Sequence, residues 1–135
     1  QRRNVMGLDM YLTGDKFVPE HQDNLPRAKV DSYPVESQRL QMGYWRKHWA
    51  LHNYIMDMIH PKDGAKIELD ADELRTIADA VEQGKMPDAD YRDEIDAYHK
   101  EPDQVAATVK TLRDAADWLE KDDNTWKSVE YYGSW

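Results

Sequence analysis

The sequence predicts an α+β fold, with about three helices packed on a small sheet that includes the N- and C-terminal strands. Near the N-terminus, hydrophobic residues recur at every second position, the period of a half-buried strand, and Trp126 to Tyr132 near the other end indicates a second strand. Between the ends they recur every three or four positions, as in amphipathic helices. The chain has 135 residues, of which 40% are apolar, and this suits one domain around one core. We place that domain at residues 6–135 and expect residues 1–5 to be an added or disordered leader.

The first element is a strand that begins at Met6. Alternate residues share one face of this strand: Met6, Leu8, Met10 and Leu12. Residues 14–35 contain Gly14 and three prolines among scattered charges, and they predict a long irregular excursion. The next segment, from Glu36 to Ile59, predicts one long helix that ends before Pro61 and Gly64.

The second half predicts a strand, two helices and a closing strand. Lys66 to Leu69 is a short strand, and Asp70 with Glu73 has the spacing of a capping box. The helix that follows would bury a stripe at i, i+3, i+4 and i+7 and end at Gly84: Leu74, Ile77, Ala78 and Val81. Residues 85–100 predict a loop with short helical turns. Pro102 suits the first turn of a third helix, whose apolar stripe is Val105, Val109, Leu112, Ala116 and Leu119. Trp126 to Tyr132 predicts the last strand.

The net charge of −9 is unevenly distributed along the chain. Residues 61–123 carry 19 acidic and 9 basic side chains, whereas the rest is nearly neutral. Such a surface repels nucleic acid, so we expect no direct nucleic-acid binding. One interpretation is a solvated face, and another is a surface that docks on a basic host protein. The acidic residues are densest at Asp88, Asp90, Asp93, Glu94 and Asp96.

The sequence has no long apolar run, no leader pattern and no cysteine, and these absences bear on its compartment and on the cofactors it could hold. No apolar run approaches the roughly 20 residues of a membrane-spanning helix, and no basic-then-apolar leader precedes the domain. Because the chain has no cysteine, a disulfide framework and a thiolate metal site are excluded. We therefore expect a cytoplasmic protein with no membrane contact and no cofactor.

The segment 43–54 contains the densest group of aromatic, cationic and histidine side chains in the chain. Trp45, Arg46, Lys47 and His52 could form an anion or nucleotide pocket, with an aromatic wall, two cations and a proton carrier. On an ideal helix, however, Arg46 and His52 lie about 120° apart. The alternative places Trp45 in the core, Arg46 beside an acidic neighbour and His52 in a buried hydrogen bond. His48 and His52 have the spacing of two metal ligands, but no third ligand is evident, and we predict no metal site.

Three separated motifs resemble those of a family of small uncharacterised phage and prophage proteins. The motifs are Met6-Gly7-Leu8-Asp9-Met10-Tyr11-Leu12, then Tyr44-Trp45-Arg46-Lys47 with His52 and Tyr54, and finally Tyr131-Tyr132-Gly133-Ser134-Trp135. Thr108 and Leu112 resemble the same family in the third helix. His48 and Trp49 depart from its pattern, and Gly133 stands where a second serine is usual. The resemblance implies an accessory protein in the cytoplasm of a bacterial host, and it implies no mechanism.

These observations favour a non-enzymatic binding or interaction module. Its predicted ligand is an anionic small molecule at Trp45, Arg46, Lys47 and His52. One alternative is an inhibitor of a host nucleic-acid-handling protein, acting through the acidic surface of residues 88–103. The other is an enzyme that uses His52 as acid or base, with a carboxylate such as Asp9 close by.

Overall fold

The computed structural model describes residues 7–17, 29–59, 66–87, 94–123 and 125–134, and they form an α+β fold as predicted. In chain order the elements are β1 (Asp9–Phe17), β2 (Lys29–Val30), β3 (Tyr33–Pro34), β4 (Ser37–Arg46), α1 (Trp49–Ile59), β5 (Lys66–Leu69), α2 (Ala71–Glu82), α3 (Glu94–His99), α4 (Pro102–Glu120) and β6 (Trp126–Ser134). No helix in the described ranges has the length and apolarity to cross a membrane.

The main sheet has four antiparallel strands in the order β4-β1-β6-β5. The terminal strands pair along their full length, from Asp9 opposite Ser134 to Phe17 opposite Trp126. The predicted period of two is confirmed at the start of the sheet, because Leu8, Met10 and Leu12 are fully buried, whereas Met6 lies outside the described residues. Helices pack on this buried face, and their contribution to the core includes Leu51, Ile55, Leu74, Ile77, Val109 and Leu112.

The predicted elements of the second half are confirmed. Asp70 caps α2, with a reciprocal hydrogen bond between its backbone N–H and the Glu73 side chain. The four stripe residues of α2 are buried, and Gly84 follows the helix with φ +68°. Pro102 opens α4, which packs against α2. On the surface, Arg75 and Arg113 each pair with two carboxylates of the opposite helix, so part of the acidic charge serves to join α2 to α4.

The predicted helix from Glu36 to Ile59 is wrong in its first half, which forms strand β4. As an edge strand β4 is mostly exposed, and it has a register shift opposite Leu12 and Thr13, so its apolar residues show no clean period of two. Lys47 then adopts a left-handed conformation, with φ 55°, and separates β4 from α1. Side chains before and after Lys47 therefore do not share a helical face.

The predicted excursion over 14–35 is also wrong in part. Its first residues, up to Phe17, extend β1, and 29–34 contain a two-stranded hairpin of β2 and β3. Residues 18–28 lie outside the described part. The predicted short helical turns in 85–100 correspond to α3, while 88–93 are again outside it.

Candidate functional site

A groove lies where the end of β4 meets α3 and the first half of α4. Its volume is about 410 Å³. The described residues that line it come from three elements: Tyr44, Trp45, Arg46, Ile95, Tyr98, His99, Gln104, Ala107, Thr108 and Thr111. Two of the four residues that the sequence proposed as a site, Trp45 and Arg46, are among them.

Trp45 forms the floor of the groove rather than a free aromatic wall. Its side chain is buried, and its Nε1–H donates a 2.9 Å hydrogen bond to Oγ1 of Thr108, which is also buried. Gly43 lets α4 approach this floor, since a Cβ there would lie 2.7 Å from Thr111 Cγ2. The floor is thus held in place by packing and by an internally satisfied polar pair.

Arg46 is exposed at the mouth of the groove. Among the residues that the structure describes, no carboxylate lies within ion-pair distance of its guanidinium. Its cross-strand neighbour Asp9 instead accepts a 2.6 Å hydrogen bond from the Tyr44 hydroxyl, which raises the pKa of Tyr44. The described lining contains no carboxylate either. The groove therefore offers a cation whose charge is not neutralised by a described ion pair.

Tyr44 and Tyr98 both line the groove and are 45% and 48% exposed, and the ring of Tyr44 lies against that of Tyr11 with centroids 5.3 Å apart. Tyr98 was not among the residues proposed from the sequence, and neither were His99, Gln104 and Thr111. No local pattern marks these residues, because α3 and α4 follow β4 by some 50 residues and meet it only in the folded chain.

Comparison with protein-family models, with curated proteins and with solved structures found no match. The site must be interpreted from its own chemistry.

His52 lies away from the described groove lining, in the core beneath the C-terminal strand. It is 4% exposed, and its Nδ1 shares a short hydrogen bond with the hydroxyl of Tyr131. Burial lowers the pKa of His52 and raises that of Tyr131, so both groups are held neutral. Asp9, the carboxylate suggested for acid–base work, is on the opposite face of the sheet and binds Tyr44.

Lys47 also lies outside the described groove lining. Its backbone N–H donates a 2.7 Å hydrogen bond to the carbonyl of Leu8, and its side chain is half-buried at the strand–helix junction. Within the described chain, the structure therefore brings Trp45 and Arg46 together in the groove and leaves Lys47 and His52 elsewhere.

A second pair of histidines supports the back of the groove. His48 and His99 are both buried, and their rings stack with centroids 4.1 Å apart and planes 4° apart. Nε2–H of His99 donates a 2.7 Å hydrogen bond to the carbonyl of Arg46 and so fastens α3 to the end of β4. Burial, and then the charge of His99, lower the pKa of His48 to about 3. Burial also lowers the pKa of His99, against opposing effects of the Arg46 carbonyl and Asp96.

His48 and His52 do not form a metal site with a third ligand in the described ranges. No group of three or more histidine or acidic side chains is placed there to hold a metal ion. Nδ1 of His48 instead accepts the backbone N–H of Leu51, at 3.4 Å, in the first turn of α1.

The acidic cluster of the sequence is only partly within the described chain. Asp88, Asp90 and Asp93 lie outside it, as does the side chain of Glu94. The Asp96 side chain is 12% exposed and pairs with Lys100 at 3.3 Å. Asp96 thus faces the protein rather than forming an open acidic surface.

Proposed function

We propose that this chain is a non-enzymatic binding module that holds an anionic group of its ligand in the groove between β4, α3 and α4. The observation that carries the proposal is the position of Arg46. Arg46 has no described ion-pair partner and lines a groove whose described lining contains no carboxylate.

Arg46 supplies the charge recognition. A guanidinium donates two parallel N–H bonds to a carboxylate or phosphate, and such charge-assisted pairs are stronger than neutral hydrogen bonds. Tyr98 contributes flat apolar surface to the part of the ligand beyond the anionic group. Gln104 and Thr111 add hydrogen-bonding groups from α4. The packed Trp45–Thr108 floor keeps these groups in position.

His52 contributes to this module through the core and takes no part in ligand contact. The hydrogen bond to Tyr131 and its burial support a structural role over acid–base catalysis. An inhibitor acting through the acidic segment stays a prediction from the sequence, since three of its five residues lie outside the described part. The context of a phage or prophage accessory protein rests on the motif resemblance alone.

A thermal-shift comparison of anions with their neutral counterparts tests the proposal. The probes are inorganic phosphate, benzoate and adenosine 5′-monophosphate, with benzamide and adenosine as neutral controls. At a concentration tenfold above its Kd, a bound anion stabilises the fold by about 1.4 kcal/mol, which raises Tm by about 4 °C. We expect this shift for at least one anion, a smaller shift for its neutral counterpart, and no shift in Arg46→Gln.

Arg39→Gln is the matched control. Arg39 is also an exposed arginine of β4, but it pairs with Asp15 and does not line the groove in the described part. This variant should bind as the wild type does. A shift that survives in Arg46→Gln, or the absence of any anion-dependent shift, would contradict the proposal.

A further inference from the structure

The outer edge of β4 faces α3 and the groove. The carbonyl of Arg46 accepts the hydrogen bond of His99 on that side, whereas the N–H of Lys47 points the other way, to Leu8 of the N-terminal segment. Backbone groups of successive strand residues point to alternate sides, and the register is regular from Gly43 to Arg46. The N–H and C=O of Tyr44 must therefore point to the same side as those of Arg46, towards the groove.

This edge of β4 has no strand partner in the described chain. β4 is the last strand of the sheet, and β1 occupies its other edge. An unpaired edge with N–H and C=O groups available is a template for one more strand. Ala107 and Thr111 of α4, which line the groove, would lie beneath that strand, and their small side chains leave it room.

The groove is closed at the end nearest α3. Because His99 occupies the carbonyl of Arg46, an added strand cannot continue its ladder past this residue. A polypeptide that ends at this point avoids the obstruction. The residue at the closed end is Arg46, whose positive charge suits a terminal carboxylate and repels a terminal amine.

We propose that the groove binds the C-terminal tail of a partner polypeptide, which adds to β4 as a parallel strand and places its terminal carboxylate on Arg46. This inference rests on the proposed function and names the ligand of that site. Main-chain hydrogen bonds to Tyr44 supply sequence-independent affinity, and the groove-facing side chains of α3 and α4 supply selectivity.

Two pools of degenerate, fluorescein-labelled hexapeptides test the inference, one with free C-terminal carboxylates and one with C-terminal amides. Each pool is passed over the immobilised protein, and the retained fluorescence is measured. We expect the free-carboxylate pool to be retained about tenfold better than the amide pool, since a charged hydrogen bond is lost in the amide. Arg46→Gln should abolish this preference.

The variants Tyr44→Pro and Tyr44→Ala distinguish the contribution of the Tyr44 main-chain hydrogen bond to peptide binding from that of its phenol ring. Both variants lack the phenol ring, but only proline also removes the N–H, on the side where no described strand of the sheet pairs. Retention should therefore fall at least about threefold further in Tyr44→Pro than in Tyr44→Ala. Circular dichroism melts of both variants check that the sheet remains folded.

The outcomes distinguish this inference from the broader proposal. Equal retention of the two pools, or equal losses in the two folded Tyr44 variants, would overturn strand addition of a C-terminal tail. If Arg46-dependent stabilisation by the small anions persists in that case, the proposed function still holds. If that stabilisation is absent as well, both proposals fall.

Discussion

Tyr131 and His52 show how a polar pair is accommodated in the hydrophobic core. Tyr131 is fully buried, and its hydroxyl bonds Nδ1 of His52. Gly133 lies against both groups, since a Cβ at this position would be 2.9 Å from Cε1 of His52 and 3.0 Å from the Tyr131 hydroxyl. The glycine in the closing motif therefore fits the close approach of this pair, and a serine would require the histidine or the tyrosine to move.

Replacing Tyr131 by phenylalanine should destabilise the protein. The change removes the hydroxyl that Nδ1 of His52 bonds, and losing one partner of a buried hydrogen bond costs about 1–3 kcal/mol. Urea unfolding at pH 7 measures the difference. Tyr132→Phe, on the exposed face of the same strand, is the control and should change the free energy of unfolding by less than about 0.5 kcal/mol. Equal stability of Tyr131→Phe and wild type would show that the hydrogen bond contributes nothing.

At the scale of elements, the change from strand β4 to helix α1 is the part of the fold that the sequence pattern did not predict. β4 is an edge strand with a bulge, so its apolar residues do not alternate strictly, and Trp45 is the only buried residue within this strand. Together with the residues of α1, they fit a helical period. By contrast, α2 and α4 were predictable, because the capping box of α2, the proline that opens α4 and the apolar stripes of both helices depend on nearby residues. The difference is physical: capping and periodicity are local, whereas the position of β4 depends on pairing with a strand some 30 residues earlier.

The stacked histidines at this junction predict a pH-dependent stability. Folding lowers the pKa of His48 to about 3 from an ordinary value near 6.5, so the unfolded chain binds more protons below pH 6.5. Stability is thus complete above pH 6.5 and declines as the pH falls from there towards 3. Between pH 7 and pH 5, His48 alone should lower the free energy of unfolding by about 2 kcal/mol. The lowered pKa values of His52 and His99 act in the same direction.

His48→Asn isolates this contribution. Asparagine keeps an oxygen that can accept the N–H of Leu51 at the start of α1, but it does not titrate. Urea unfolding at pH 7 and pH 5 should show a decrease that is about 2 kcal/mol smaller in the variant than in the wild type. The same decrease in both proteins would rule out His48 as a source of the pH dependence.

At the scale of the whole molecule, the α+β class and the place of the terminal strands followed from the sequence, whereas the composition of the candidate site did so only in part. Trp45 and Arg46 were identified because they stand in a dense cluster of aromatic and cationic residues. His52 stands in the same cluster of the sequence, but the left-handed turn at Lys47 and the hydrogen bond of His52 to Tyr131 separate it from the groove. Tyr98 and Gln104 reach the groove only through the packing of α3 and α4 beside β4, and no single-sequence pattern encodes that contact.

We propose that the groove at Arg46 is the binding surface of this molecule. Two-dimensional ¹H–¹⁵N NMR of the wild-type protein, titrated with benzoate and with adenosine 5′-monophosphate, tests it most directly. We expect the largest shifts on the amides of Tyr44, Arg46, Tyr98 and Gln104 and on the indole N–H of Trp45. Largest shifts at the opposite edge of the sheet, around Lys66 and Glu68 of β5, or no shifts with either anion, would contradict it.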